Sequence, residues 1–172
     1  MLNKLAVRDL WDDGVFAGLH VVPLLDKFLS FRHHDVEDNP VAAREECCRT
    51  AALIYLGSIR QRFGVQLTPG IYIRKLKQGI VSMDKSTPEQ IKNLLLWLLM
   101  LGGAQSINHE DHDFFVGAIA GAMTRLKCTT WDELMTAVRQ VSWVDGILIP
   151  ECAKFHVEVS FELWNSYGHF ML

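Results

Sequence analysis

The segment from His109 to Asp113 reads His-Glu-Asp-His-Asp, the richest polar group in the chain. Two histidines three residues apart at a helix start share a face, and with Asp113 they can hold a metal ion. No third ligand is set by the spacing, however. Acidic residues also gather in a first helical turn because the helix dipole favours them there. We therefore expect a solvated helix start and no metal site. His33, His34 and Asp35 form a second group, in which a carboxylate can orient an imidazole as a general base. Adjacent residues point to different sides, so a solvated helix end is the plainer expectation. His20 and His156 sit among apolar residues, where a core histidine hydrogen-bonded to the backbone competes with an acid–base role. The four cysteines, Cys47, Cys48, Cys128 and Cys152, show no CxxC spacing, and we expect reduced, partly buried thiols in an intracellular protein.

The aromatic residues carry the remaining chemistry. Trp11, Trp97, Trp131, Trp143 and Trp164, with nine phenylalanines, leave room for an aromatic-lined cavity, since bulky rings at facing positions seldom tile without gaps. Such a cavity suits an apolar ligand. His20, Tyr55, Gln105 and His112 are the polar side chains expected to do chemistry there. Trp97, Trp143 and Phe115 are the expected substrate-binding surfaces. No phosphate loop, dinucleotide fingerprint, nucleophile elbow or HExxH motif is present, so we expect no cofactor.

Elements that could position these residues are all helical. Asn39-Pro40 starts a helix with Cys48, Ala52, Tyr55 and Ile59 on one face and Gly64 as its stop. Thr68-Pro69 starts a shorter one. Thr87-Pro88-Glu89-Gln90 combines a cap, a first-position proline and a capping-box glutamine. It opens a helix carrying Ile91, Leu94, Leu95, Leu98 and Leu101, apolar enough all round to be enclosed by others. The run from Leu94 to Leu101 is too short for a bilayer, which takes about 20 apolar residues. Gly102-Gly103 ends this helix or admits a close neighbour. Asn108 caps the next, whose apolar face holds Phe115, Ala118, Ile119, Ala122 and Leu126. Thr130 and Glu133 form a capping box ahead of Trp131, Leu134, Met135, Val138 and Val141. A break is expected at "DGILIP", then a last helix from about 151 to 164 with Cys152, Phe155, Val159 and Leu163 in register. The N-terminal third, interrupted by Gly14, Gly18 and Pro23, reads as two helices or one kinked helix.

The expectation is therefore an all-α fold: one irregular bundle of six to eight helices over residues 1–172, with N-terminal helices in 1–36 and a helical core in 40–172. Of its 172 residues, 49% are apolar and 22% charged, enough for a real core. A net charge of −3, with basic residues no denser than Arg74, Lys75 and Lys77, argues against nucleic acid as a direct partner. The charged N-terminus lacks a signal peptide's apolar stretch, and no membrane association is expected.

Four blocks in order, "REECCRTAALIYL", "LLLWLLMLGGAQS", "EDHDFF" and "TTWDELMTAVRQVSWVDGILIPEC", resemble the C-terminal regulatory region of fungal-specific transcription factors, over about Arg44 to Trp164. Those factors usually carry a zinc binuclear cluster at the N-terminus. The resemblance implies an α-helical scaffold that responds to metabolites or partner proteins. The chain departs from the family in two places. It has no cysteine-rich basic stretch able to bridge two zinc ions. The arginine of the family's acidic-aromatic step is also missing from Glu110-Asp111-His112-Asp113-Phe114-Phe115. Two expectations follow. In one, a stand-alone domain opening on Met1 binds an apolar small metabolite and catalyses a cofactor-free cyclisation or isomerisation, of pericyclic type, in fungal secondary metabolism. Such chemistry needs a pocket shaped to the reactive conformer and a hydrogen-bond donor or two. In the other, it is the ligand- or partner-sensing domain of a transcription factor. The first places it in the cytoplasm, the second in the nucleus, and a homodimer is open to both.

Overall fold

The computed structural model describes residues 13–31, 40–61, 63–64, 69–82, 91–143 and 145–168. The helix starts read at Asn39, Thr68 and Thr87-Pro88-Glu89-Gln90, the His33-His34-Asp35 group and Trp11 lie outside them. Among the described residues there are seven helices and no strand. The chain is an all-α bundle. No described helix is long and apolar enough to cross a membrane.

The first helix, α1, is continuous from 14 to 30. It comprises α-helical Gly14–Phe16, a π-helical turn at Ala17–Val21 and α-helical Val22–Ser30. The Asp13 carboxylate caps it by accepting from Val15 N at 2.8 Å. Pro23 has no N–H to donate, and its ring would press on the carbonyl of residue 19 in a regular helix. The wider π-turn immediately before it accommodates both, with Val22 N–H reaching back to the Ala17 carbonyl. The glycine and proline signals therefore produce a local widening within one helix, in place of two separate helices.

The remaining helices are α2 (Pro40–Gln61), α3 (Pro69–Ser82), α4 (Lys92–Ala104), α5 (His109–Arg125), α6 (Trp131–Val141) and α7 (Asp145–Gly168). Helix α4 is the centre. Every residue from Leu95 to Gly103 is buried, and α4 packs against α2, α3, α5, α6 and α7. A helix apolar on all sides has no solvent face to offer, so the others form around it. Helix α2 is also buried more widely than a single face. Arg49, Thr50 and Leu53 are buried along with Tyr55 and Ile59, while Cys48 and Ala52 are only half-buried.

Gly102 and Gly103 do not end α4, which runs to Ala104. They admit two rings. A Cβ on Gly102 would lie 2.3 Å from the Phe115 ring, and one on Gly103 would lie 2.2 Å from the Phe155 ring. Both caps read from the sequence are present. Asn108 Oδ1 accepts from Asp111 N at 2.8 Å, and Thr130 with Glu133 closes a full capping box. Cys152, Phe155, Val159 and Leu163 form the buried face of α7. The expected break at "DGILIP" is absent: α7 begins at Asp145 and continues through Pro150. Pro150 costs this long helix a single ladder hydrogen bond, close to its start.

Candidate functional site

Helices α1, α2 and α4 enclose a cleft of about 340 Å³ at the edge of the bundle, open on one side. That is within the usual range for small-molecule sites. Helix α1 supplies Phe16, His20, Leu24 and Phe28 to it. These are successive four-residue steps. At about 100° per residue such steps drift by roughly 40° each, so Phe16 and Phe28 would point about 120° apart on a regular helix. The π-turn carries one extra residue and removes most of that drift. It turns the Phe16 and His20 end of α1 to the same side as Leu24 and Phe28.

The opposite wall is Ala52, Tyr55, Leu56 and Ile59 from α2, with Trp97 from α4 and Ser142 from the α6–α7 connection. Tyr55 and Trp97 meet with ring centroids 6.2 Å apart and are 8% and 6% exposed. The Trp97 indole N–H donates to the Ser142 carbonyl at 2.5 Å. Trp97 therefore offers the cleft its ring, and its polar edge is already occupied. Burial raises the pKa of the Tyr55 hydroxyl, with a hydrogen bond to Ser142 acting in the opposite direction. At neutral pH this hydroxyl stays protonated, as a donor. The His20 ring stands 4.8 Å from Phe16 between centroids, on the exposed side of the cleft. Among the described residues, no charged side chain lines the cleft. Its polar side chains are His20, Tyr55 and Ser142, with the Trp97 N–H engaged.

The structure thus brings together His20, Tyr55 and Trp97 and places the other sequence-derived candidates elsewhere. Gln105 borders a separate void of about 50 Å³ on the other flank of α1, with Leu25, Leu29 and Tyr72. His112 is half-buried between α5 and α7, where it pairs with Glu158 and meets the Phe155 ring edge-on at 5.5 Å. Phe115 is fully buried against Gly102, a core residue and not a cleft wall. Trp143 packs half-buried on the core, and its buried indole N–H has no hydrogen-bond partner among the described residues. His156 stacks on Trp131 at 4.3 Å. Phe16, Phe28 and Ser142 were not singled out in the sequence, and Ala52 was read only as part of a helix face. The four-residue spacing of Phe16, His20, Leu24 and Phe28 was visible there, but the turn that aligns them was not.

The polar stretch at the start of α5 is structural. Lys77 of α3 reaches Glu110 and Asp111, each at 3.0 Å, and Asn108 Nδ2 donates to Asp111 Oδ2 at 2.7 Å. Among the described residues no three His, Cys, Asp or Glu side chains are grouped to hold a metal. Burial raises the Asp111 carboxyl pKa, but Asn108 and Lys77 outweigh it and the net shift is downward. A depressed folded-state pKa contributes stability that is present above about pH 4 and lost as the pH falls through the lower folded value. The stability difference between wild type and Asp111→Asn is expected to shrink as pH falls from about 5 to about 2. Thermal melts across that range measure it, and a constant difference would refute the assignment. Cys47, buried against Gly79, has its thiol pKa pushed up to about 11 by burial and by its neighbours Cys48 and Glu46. It is a core thiol and a poor nucleophile.

The fold and the cleft define an all-α bundle with an uncharged, ring-lined recess at the α1 edge. No family model, curated protein or solved structure matches the chain.

Proposed function

We propose that this protein binds a neutral, apolar small molecule in the α1–α2–α4 cleft and promotes its cofactor-free cyclisation or isomerisation. The lining carries this reading: aromatic and aliphatic walls of sufficient volume, no charge among the described residues, and hydrogen-bonding groups limited to His20, Tyr55 and Ser142. Apolar walls hold a ligand by excluding water, and a few polar groups orient it. Binding in one shape lowers the barrier of a unimolecular ring closure, and a donor aimed at a carbonyl lowers it further.

Ala52 is half-buried on the cleft wall and tests the reading. Ala52→Leu keeps a good helix former at that position and fills the recess. It is expected to weaken binding of neutral ring compounds by at least about tenfold, or about 1.4 kcal/mol, with the unfolding midpoint nearly unchanged. Titration calorimetry of wild type and variant against the same compounds measures it. Equal affinity in the two would place the ligand elsewhere.

One observation favours a second reading, the ligand- or partner-sensing domain of a transcription factor that the helical blocks resemble. Helix α7 turns Val157, Phe161 and Trp164 outward, at 67%, 62% and 73% exposure. Apolar stripes of that kind mark contacts with other proteins. Product formation by the purified chain alone separates the two readings.

A further inference from the structure

The proposed reading leaves the ligand's chemical class and the acid–base group unassigned, and the polar side chains of the lining bear on both. We infer that the cleft is built for enolisable ring ketones, with the His20 imidazole as the proton-transferring group and the Tyr55 hydroxyl, backed by its hydrogen bond with Ser142, as the carbonyl's donor. This inference rests on the cleft being the ligand site.

The lining narrows the choice by elimination. A lining with no charged side chain among the described residues disfavours an ionic ligand, since an unpaired charge taken out of water into apolar surroundings is strongly penalised. The Trp97 N–H is already engaged by the Ser142 carbonyl and is not free for a ligand. That leaves a buried phenol, a hydroxyl beside it and an imidazole nearer solvent. Tyr55 and Ser142 are hydrogen-bonded to each other, which leaves the pair one hydroxyl proton to donate, suited to a single carbonyl oxygen. Of the three, the imidazole is the side chain whose ring nitrogen can accept a proton from a carbon acid as a general base. Its place at the exposed rim lets it pass that proton to water or back to the ligand. The π-turn puts it there, on the side of α1 that faces Tyr55 and Trp97.

A neutral His20 nitrogen takes a proton from the carbon next to the ligand's carbonyl. The C–H electron pair becomes the new C=C bond, and the carbonyl π pair moves onto oxygen. A hydrogen bond from Tyr55, whose own oxygen is partnered by Ser142, stabilises that oxygen as charge develops. The imidazolium then returns the proton to oxygen, giving the enol, or to carbon, giving the isomer or the starting ketone. No oxidant or cofactor enters, and the protein ends as it began.

β-Tetralone, a neutral fused-ring ketone, and tetralin, its hydrocarbon counterpart, are the probes. In deuterium oxide buffer, NMR reads deuterium entering the carbons beside the β-tetralone carbonyl, and calorimetry reads binding of both compounds. Wild type is expected to exchange at least about 100-fold faster than His20→Gln when both are saturated with β-tetralone. Tyr55→Phe is expected to slow exchange by about tenfold or more. His20 is exposed, so His20→Gln is expected to fold normally; circular dichroism checks this. Exchange in His20→Gln at the wild-type rate would overturn the role of His20. Binding of tetralin and β-tetralone with equal affinity and no exchange would overturn the inference and leave the cleft reading intact. Failure of both compounds to bind would overturn the two together.

Discussion

Gly103→Ala is expected to lower the unfolding free energy by about 3 kcal/mol, the upper part of the usual range for overpacking. Its Cβ would sit 2.2 Å from Cζ of Phe155, a ring with no exposed surface, and a rigid aromatic side chain in a close-packed interior has little room to move aside. In a chain of this size the melting temperature should fall by roughly 6–12 °C. Gly102→Ala should behave similarly against Phe115, at 2.3 Å. The controls are in the neighbouring helix. Gly117 and Gly121 of α5 are exposed, and a Cβ added at either would meet nothing within 4 Å. Gly121→Ala is expected to stabilise by up to about 1 kcal/mol, since alanine restricts the unfolded chain more and favours helix. A companion Phe155→Leu change should recover part of the Gly103→Ala loss, because the shorter side chain opens the contact. Denaturant unfolding of these variants beside wild type measures the effects. A Gly103→Ala loss no larger than that of a surface substitution would show that α4 and α7 do not approach as described.

Arg49→Leu is expected to cost about 2–3 kcal/mol and to loosen α1 selectively. Arg49 is 8% exposed. It forks onto Glu46 at 2.6 and 2.5 Å, and its remaining arm donates to the Phe28 carbonyl at 2.9 Å. That carbonyl is in the last turn of α1, where no further helical N–H is available to satisfy it. Removing one partner of a buried charged network costs more than the pair contributes, because the other groups have already given up water. The packing of α1 against the bundle is mainly with α2, so the fastening is local. Amide hydrogen exchange should accelerate across Val22–Ser30, while the central helix α4 keeps its protection except for the global loss. Because Phe28 lines the cleft, affinity for the apolar ligand proposed above should fall as well. Unchanged protection in α1 would mean that Arg49 does not hold it.

Much of the fold was legible in the chain because its signals are local. The Asn108 cap and the Thr130–Glu133 box act within one turn, and the structure has both. The run around Leu98 is apolar on every side, which already requires a central helix. The apolar row from Cys152 to Leu163 could bury only one face. Signals that depend on distant residues were harder to read. Proline at position 150 suggested a break, but the helix has already started at Asp145 and continues through it. Gly102-Gly103 left two outcomes open, and only the arrival of Phe115 and Phe155 from other helices selects between them.

The same division runs through the candidate site. Residue types alone nominated His20, Tyr55, Trp97, Gln105, His112, Trp143 and Phe115 together, and no local rule separates a ring that lines a recess from one that fills the core. The tertiary structure separated them by helix register. It put His20 opposite Tyr55 and Trp97 through a π-turn beside Pro23, and it turned Gln105 to the other flank of α1. It also paired His112 with Glu158. Composition and periodicity determine that this chain makes helices and which of them must be buried, because those are properties of short segments. Which side chains share a cleft depends on how separate helices meet, and that is settled by packing between residues far apart in sequence.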